Sequence, residues 1–390
     1  MSRPLLFVHI RKTGGVSVRG LLINRFSVGR ILLQAHSVMA AGEDFGRFDL
    51  VTGHLDFGAL ARFRERPVIF TLLRDPVRRA LSAFYFFREH DEARFAQLEL
   101  ELSPRDFAER RRFTELAQQM PLLDFLEREP ELSQRHLANV QTRHLLSTPR
   151  ESLDGDSLAE AKRNLESCDV PGLTERLDDS LELLSHRLGW PQLGPVFHYN
   201  ATQRKPRAEE IEPRAIELLT RWNQIDLQLY AHAVEIFERR LAEAKSRPLE
   251  YRIGALPAAS DFTFDQPVHG HGWHEREKNG NGWFCWMARE QASLVLRAEG
   301  ASDSTLRCHV EHAMDPAILS GLRIDINGRP LTTTFSAENS MSIVEAFVPA
   351  EALRGPHVHI TFSLPRTMRG CEPDRRELGV AFSRIQLAPI

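Results

Sequence analysis

Residues 5–22 read LLFVHIRKTGGVSVRGLL, and this stretch decides the fold of the first half of the chain. Leu5 to Ile10 is a short, nearly unbroken apolar run, the pattern of a strand buried on both faces. Lys12-Thr13 and the pair Gly14-Gly15 follow, after which Val16, Val18, Leu21 and Leu22 recur at helical spacing. The reading is strand, tight turn, helix. A helix that starts from a glycine turn presents unpaired N–H groups and a positive dipole end, so it attracts anions. Lys12 adds a full charge, and Thr13 and Ser17 add hydroxyl donors. The lysine precedes both glycines, so the loop is a phosphate cradle without the G-x-x-x-x-G-K-[ST] order of nucleoside-triphosphate sites.

Outward from this stretch, Phe48 to Thr52 reads as a second strand ending in Gly53-His54, and Pro67 to Leu73 as a third. The third runs into Arg74-Asp75-Pro76, where Asp75 suits an N-cap and Pro76 the first helical position. That helix carries Ser82 and the aromatics Phe84 to Phe87, expected mainly in the core. Asp91 to about Leu146 is helical and charged. Asp169 to Leu173 suits another strand, Asp178 to Leu188 an amphipathic helix, and Ala208 to Lys245 one long helical stretch. Alternating strands and helices predict an open, largely parallel α/β sheet. Lys12, His54 and Arg74 then share one address, beyond the carboxyl ends of three strands, where such sheets bind ligands.

The composition shifts at Ser246. Residues 247–268 read as a linker, and 269–390 as a smaller all-β sandwich. Its strands are expected at 292–298, 305–311, 322–326, 342–348, 357–364 and 379–387, with Asn327-Gly328 as a hairpin turn. The fold class is thus α/β over 1–246, a P-loop-like open parallel sheet flanked by helices, followed by the sandwich. With 390 residues, 42% hydrophobic content and a net charge of −3, nothing global argues for nucleic acid or a membrane surface. No run of about 18 apolar residues reads as a transmembrane span, and with the first strand so close to Met1 a signal peptide is not expected. Four scattered cysteines without a CxxC pair suit reduced thiols, so a cytoplasmic location is expected.

The motifs, taken in order, resemble those of the carbohydrate sulfotransferases. His9-Ile10-Arg11-Lys12-Thr13-Gly14-Gly15 is similar to their H-[IV]-P-K-T-G-G-T-S loop, with Arg11 for the usual proline and Val16 for the usual threonine. Leu72 to Tyr85 (LLRDPVRRALSAFY) resembles their [FL]-L-R-D-P-[VL]-x-R-x-x-S-x-[FY]-[YF] motif. Asn139 to Arg143 resembles an N-x-Q-T-R motif of the glycan-modifying branch, which includes the heparan sulfate enzymes. Val170 to Arg176 and Asn200 onward continue the likeness, which spans about Leu5 to Leu241.

The resemblance implies 3′-phosphoadenosine 5′-phosphosulfate as sulfate donor and no metal. It implies that Arg11, Lys12, Thr13, Gly14, Gly15, Val16 and Ser17 hold the 5′-phosphosulfate, that Arg74 and Ser82 hold the 3′-phosphate, and that Arg204 and Lys205 close on the donor. It implies His54 as general base, with Lys12 stabilising the leaving phosphate, and a glycan or saccharide hydroxyl as acceptor. His36 is a rival to His54. Arg143 has two readings, a hold on an anionic substrate or a pin between helices. A small-molecule or lipid acceptor, and a non-catalytic glycan-binding protein, are the alternatives. The oligomeric state is not legible.

In the second half, His269, His271 and His274 invite a metal, but no cysteine or carboxylate completes an evident tetrahedral set. Trp273 and Trp283 to Trp286 resemble the start of β-sandwich modules appended to some bacterial glycan-modifying enzymes, and Arg376 to Ala381 resembles their last strand. Large aromatics more often fill cores than wait for sugar. These tryptophans are expected to be buried, against the α/β domain.

Overall fold

The structure, a computed structural model, describes residues 3–35, 44–92, 95, 103–190, 210–249, 256–338, 341–371, 374 and 376–390. The chain divides into two compact units. One is Met1–Ser17, Leu32–Leu183 and His198–Arg247; the other is Val18–Ile31, Leu184–Phe197 and Pro248–Ile390.

The α/β unit is built on β1 (Leu5–Val8), β3 (Leu50–Gly53), β4 (Val68–Leu73) and β5 (Val170–Leu173), with the short β2 (Ile31–Leu32) at one edge. The order is β2-β3-β1-β4-β5. β1 pairs in parallel with β3 and β4, and β4 with β5. Every residue of these four strands is buried, which accounts for their continuous apolar sequences. From β1 the chain reaches β3 on one side, then crosses to β4 on the other. The reversal opens a crevice at the carboxyl end of β1.

Helix α1 spans Gly15–Ile23 and α2 spans Pro76–Arg88. Asp75 caps α2 as expected, its side chain accepting from the Arg78 N–H at 2.8 Å. Phe84 and Phe87 are buried with Phe113 and Phe125 in the helical core, while Tyr85 and Phe86 are partly covered. The expected long helix over 208–245 is two helices, Pro213–Trp222 and Gln224–Lys245. Asn223 breaks it: buried at the joint, its Oδ1 accepts from the Asn139 N–H at 2.9 Å. Asp226 begins the second helix fully buried and accepts from the N–H groups of Gln141 and Thr142 and from the Thr142 hydroxyl. The N-x-Q-T-R motif is therefore a clamp on this helix, with Asn139 in the left-handed region at φ 48°.

The other unit is a sandwich of two antiparallel sheets. One orders Thr333–Glu338, Met341–Val348, Ser304–Ala313, Val380–Pro389, Gly282–Trp286 and Glu277–Asn279, with Phe262–Thr263 also on Val380–Pro389. The second orders Arg329–Pro330, Arg323–Ile326, His357–Ser363 and Gln291–Arg297. Leu306, Val344 and Phe382 of the first meet Leu294, Ile324 and Ile360 of the second in one core. Asn327 and Gly328, at φ 51° and 81°, make the expected hairpin turn between paired Ile326 and Arg329.

Three expectations for this half need correction. Residues 256–268 are not a linker: Ala259, Phe262, Phe264 and Val268 are core residues, because their apolar side chains fill the sandwich. Trp273 is buried within the sandwich's own core, its Nε1–H donating to the Ser293 carbonyl at 2.7 Å. Finally, the unit includes a segment from far upstream. Arg276 donates to the carbonyls of Ile23 and Phe26 at 2.6 and 2.7 Å and of Gln266 at 2.9 Å. Asn24 Nδ2 donates to the His274 carbonyl, and Arg25 to that of Gly270, each at 2.7 Å.

Candidate active site

The loop after β1 is held by bonds that fix an otherwise costly backbone. Lys12 takes φ 69° and Gly14 φ 81°. A left-handed lysine costs about 1 kcal/mol or more and persists where its surroundings over-determine it. Here Arg74 Nη1 donates to the Lys12 carbonyl at 3.1 Å, and the Thr174 hydroxyl lies 2.7 Å from the Thr13 carbonyl and 3.0 Å from that of Leu73. The loop is thereby tied to the ends of β4 and β5. At Gly15 a Cβ would lie 2.0 Å from the His9 ring, so the first residue of α1 has to be glycine.

The side chains of this loop are placed less uniformly than the motif suggests. Thr13 is fully buried and its hydroxyl donates to the Ile10 carbonyl at 2.9 Å, so its proton serves the turn itself. Lys12 Nζ lies 3.5 Å above the Phe86 ring. Ser17 is buried on α1, Val16 is half-buried, and Ser82 is buried on α2. Arg74 has its backbone N–H and carbonyl both paired with the Gln141 side-chain amide at 2.8 Å. Its guanidinium also faces Glu175 at 4.0 Å, which Tyr230 holds by a 2.9 Å hydrogen bond.

Arg11 belongs to a different group. It lines a cleft of about 250 Å³ together with His54, Arg79, Arg110, Arg143 and His144. Among the described residues of the lining, Asp56 is the one carboxylate against five arginines. Arg79, Ala83 and Phe87 reach it as one stripe of α2, at spacings of four. Arg79 is 1% exposed and donates to the Leu137 carbonyl at 2.7 Å; burial pushes its guanidinium down to about 10. Arg110 stacks on Phe87 at 3.8 Å. Arg143 donates to the Arg150 carbonyl at 2.7 Å and also lines the cleft, so both of its expected roles remain structurally accessible to it.

His54 follows β3, and its Nδ1 lies 2.8 Å from the His9 carbonyl. A carbonyl only accepts, so Nδ1 carries the hydrogen and Nε2 the lone pair. Burial, then His9 and Arg11, hold its pKa well below the ordinary histidine value. The imidazole is consequently neutral near pH 7, the form a proton acceptor needs. His144 repeats the arrangement with Nδ1 2.9 Å from the Leu55 carbonyl, and burial pushes its pKa down to about 4.

The sequence singled out Arg11, His54 and Arg143 but missed Arg79, Arg110, Arg135, His136 and His144. The spacing of Arg79 with Ala83 and Phe87, and the position of His144 directly after Arg143, were the available signals. His36, Arg204 and Lys205 lie outside the described residues. His269 Nδ1 lies 3.5 Å from Arg25 and His274 Nε2 donates to the Glu377 carbonyl, and among the described residues no group of three or more His, Cys, Asp or Glu is placed to hold a metal. The four cysteines are free thiols, Cys168, Cys285 and Cys308 buried and Cys371 exposed. No described helix is long and apolar enough to cross a membrane.

No family model matches the chain, and no curated protein is significantly similar to it. Among solved structures, it is similar to a family 6 carbohydrate-binding module from Clostridium cellulolyticum in complex with xylose. The identity is 12%, over 30% of this chain and 88% of that one, with TM-score 0.21. A second is CsCBM6-3 from Clostridium stercorarium in complex with cellobiose, at 12% identity over 35% and 99% with TM-score 0.24. A third is the family GH115 4-O-methyl-α-glucuronidase BtGH115A, at 9% identity over 71% and 40% with TM-score 0.25. Likenesses at these scores carry no argument about function, which rests on the site itself.

Proposed function

We propose that the chain is a sulfotransferase that moves a sulfuryl group onto a hydroxyl of a saccharide, with His54 as the general base. The observation that carries this reading is the junction at the end of β1. A glycine turn bearing Lys12, tied by Arg74 from the end of β4, leads directly, through Arg11, into an arginine-lined cleft that contains a neutral imidazole.

The donor in this reading is 3′-phosphoadenosine 5′-phosphosulfate, which carries a sulfuryl group on a phosphate leaving group. The loop fits such a polyanion by its chemistry: two cations and the amino end of α1 converge on it. Lys12, Gly14, Gly15 and Ser17 would hold the phosphosulfate, and Arg74 with Ser82 the 3′-phosphate. Thr13 would contribute its backbone N–H, since its hydroxyl is committed to Ile10. His54 takes the acceptor's proton at Nε2 while the acceptor oxygen forms the new O–S bond. Lys12 and the loop amides favour the charge that develops on the departing phosphate. Five arginines against one carboxylate suit an acceptor that itself carries carboxylate or sulfate groups. Free thiols accord with action in a reducing, cytoplasmic compartment.

The test is incubation of the protein with the donor and a panel of neutral, uronic-acid-containing and already sulfated oligosaccharides, read by mass spectrometry. The expected result is addition of a sulfuryl group to an acidic member of the panel. Sulfation of a lipid or small phenol alone would overturn the saccharide assignment. No transfer to any acceptor, with saccharide binding retained, would overturn the enzymatic one.

A further inference from the structure

Three regions stand outside the roles already assigned. In the cluster around His269, Arg25 and His274 are bonded to backbone carbonyls of the sandwich and His269 lies against Arg25. Phe335 and Phe347 are exposed, at 45% and 55%, on separate strands, and nothing defines what would cover them. His144 is different, because it faces the same cleft as His54 and has no part in the reaction as described.

Its placement is tightly determined. The Asn139–Thr142 segment is clamped to Asp226, which fixes the short helix Val140–His144 that ends in this residue. The Leu55 carbonyl then receives the His144 Nδ1–H, and Leu55 is the chain neighbour of His54. Two further contacts join the same segments: the Phe57 N–H donates to the Leu146 carbonyl at 3.1 Å, and a Cβ on Gly58 would lie 2.3 Å from the Ser147 carbonyl. His144 is thus registered directly to the residue that follows the candidate base. Both imidazoles give their Nδ1–H to a backbone carbonyl, so both carry their lone pair on Nε2. The cleft, among arginines that only donate, is lined by three histidines: His136 has its Nε2 engaged 2.9 Å from Glu109, while His54 and His144 each carry their lone pair on Nε2.

We infer that His144 is a positioning residue for the acceptor: its Nε2 accepts a hydrogen bond from a second hydroxyl of the saccharide while His54 serves the reacting one. This rests on the sulfotransferase reading and adds to it a requirement for two hydroxyls on the bound part of the acceptor. Arginines hold the acceptor's anionic groups and do not accept from hydroxyls, and the Asp56 carboxyl already accepts from the Gly58 and Ala59 N–H groups, so the imidazole supplies what they lack. A hydroxyl-accepting group discriminates strongly, because an analogue without the hydroxyl leaves it unpaired.

The test compares His144→Asn and His144→Gln on a heparosan hexasaccharide, which alternates uronic acid and hexosamine. Asparagine can keep the bond to Leu55 and removes the cleft-facing nitrogen; glutamine can return a polar acceptor there. His144→Asn should raise acceptor KM about ten-fold with kcat changed far less, as loss of one hydrogen bond predicts. His144→Gln should recover part of that loss. Binding of adenosine 3′,5′-bisphosphate and the melting temperature should stay at wild-type values in at least one of the two variants. An unchanged KM in His144→Asn overturns the inference. So does a loss confined to kcat that glutamine does not recover, which would make His144 the base. A wild-type protein that sulfates no acceptor overturns the reading beneath it, an outcome distinct from either.

Discussion

Two pairs of histidines, one in each unit, show how the same side chain is put to opposite uses. His54 and His144 are half-buried and line an open cleft, each giving one N–H to a carbonyl and keeping a lone pair beside arginines. His269 and His274 are 2% and 4% exposed and sit where a segment from residues 18–31 is held in the sandwich. The HGHGWH cluster looked the more metal-like of the two in sequence, yet His269 lies against Arg25 and His274 is bonded to the Glu377 carbonyl. What separates the two pairs is their surroundings: a cleft lined by five arginines on one side, and the sandwich core with Arg25 on the other.

The sharpest way to break this contrast is to substitute one member on each side. His54→Asn can keep a donor toward the His9 carbonyl and removes the basic nitrogen. It should lower kcat by about 10²–10⁴-fold in the transfer assay while the melting temperature stays close to wild type. Activity near the wild-type level would remove His54 from the chemistry. Arg276→Met should do the reverse. Arg276 is 9% exposed and serves the carbonyls of Ile23, Phe26 and Gln266, so its loss leaves buried acceptors unpaired and should cost about 3 kcal/mol in urea unfolding. Turnover per folded molecule should be retained. A variant as stable as wild type would show that the 18–31 segment is not anchored there.

Acidification gives a smaller effect with a defined sign. His269 is held neutral in the fold, with its pKa pushed down to about 3 by burial and then by Arg25, against 6.5 ordinarily. Below pH 6.5 the unfolded chain binds a proton that the fold refuses, so stability falls as pH falls toward that lowered value. At pH 5 one such histidine costs about 2 kcal/mol. His269→Asn should remove that share of the decline between pH 7 and pH 5, measured as the difference in unfolding free energy. An identical decline in the variant would mean that His269 is protonated in the fold.

The contrast also explains what was legible in the sequence. The buried strands β1, β3, β4 and β5 announced themselves because two-sided burial leaves unbroken apolar runs, and Asp75-Pro76 and Asn327-Gly328 carry local chemistry that permits few conformations. The loop residues and His54 followed from position at strand ends. Arg79, Arg110 and His144 did not, because each reaches the cleft from a helix, and helical spacing shows which residues share a face without showing what that face packs against. Residues 256–268 were misread as a linker for a related reason. Prolines and glycines break periodicity, yet Phe262 and Phe264 need only a few extended residues to fill a sandwich core. Thr333–Glu338 was missed because it is mostly exposed and lacks the alternation of a half-buried strand.

The central claim is that the Lys12 loop and Arg74 form a site for a nucleotide carrying phosphates at both 3′ and 5′ positions. Titration calorimetry of the full chain with adenosine 3′,5′-bisphosphate and with adenosine 5′-monophosphate tests it most directly. The account predicts clear binding of the bisphosphate, at least about ten-fold weaker binding of the monophosphate, and loss of that difference in Arg74→Ala. Equal affinity for the two nucleotides, or no binding of either, would contradict it.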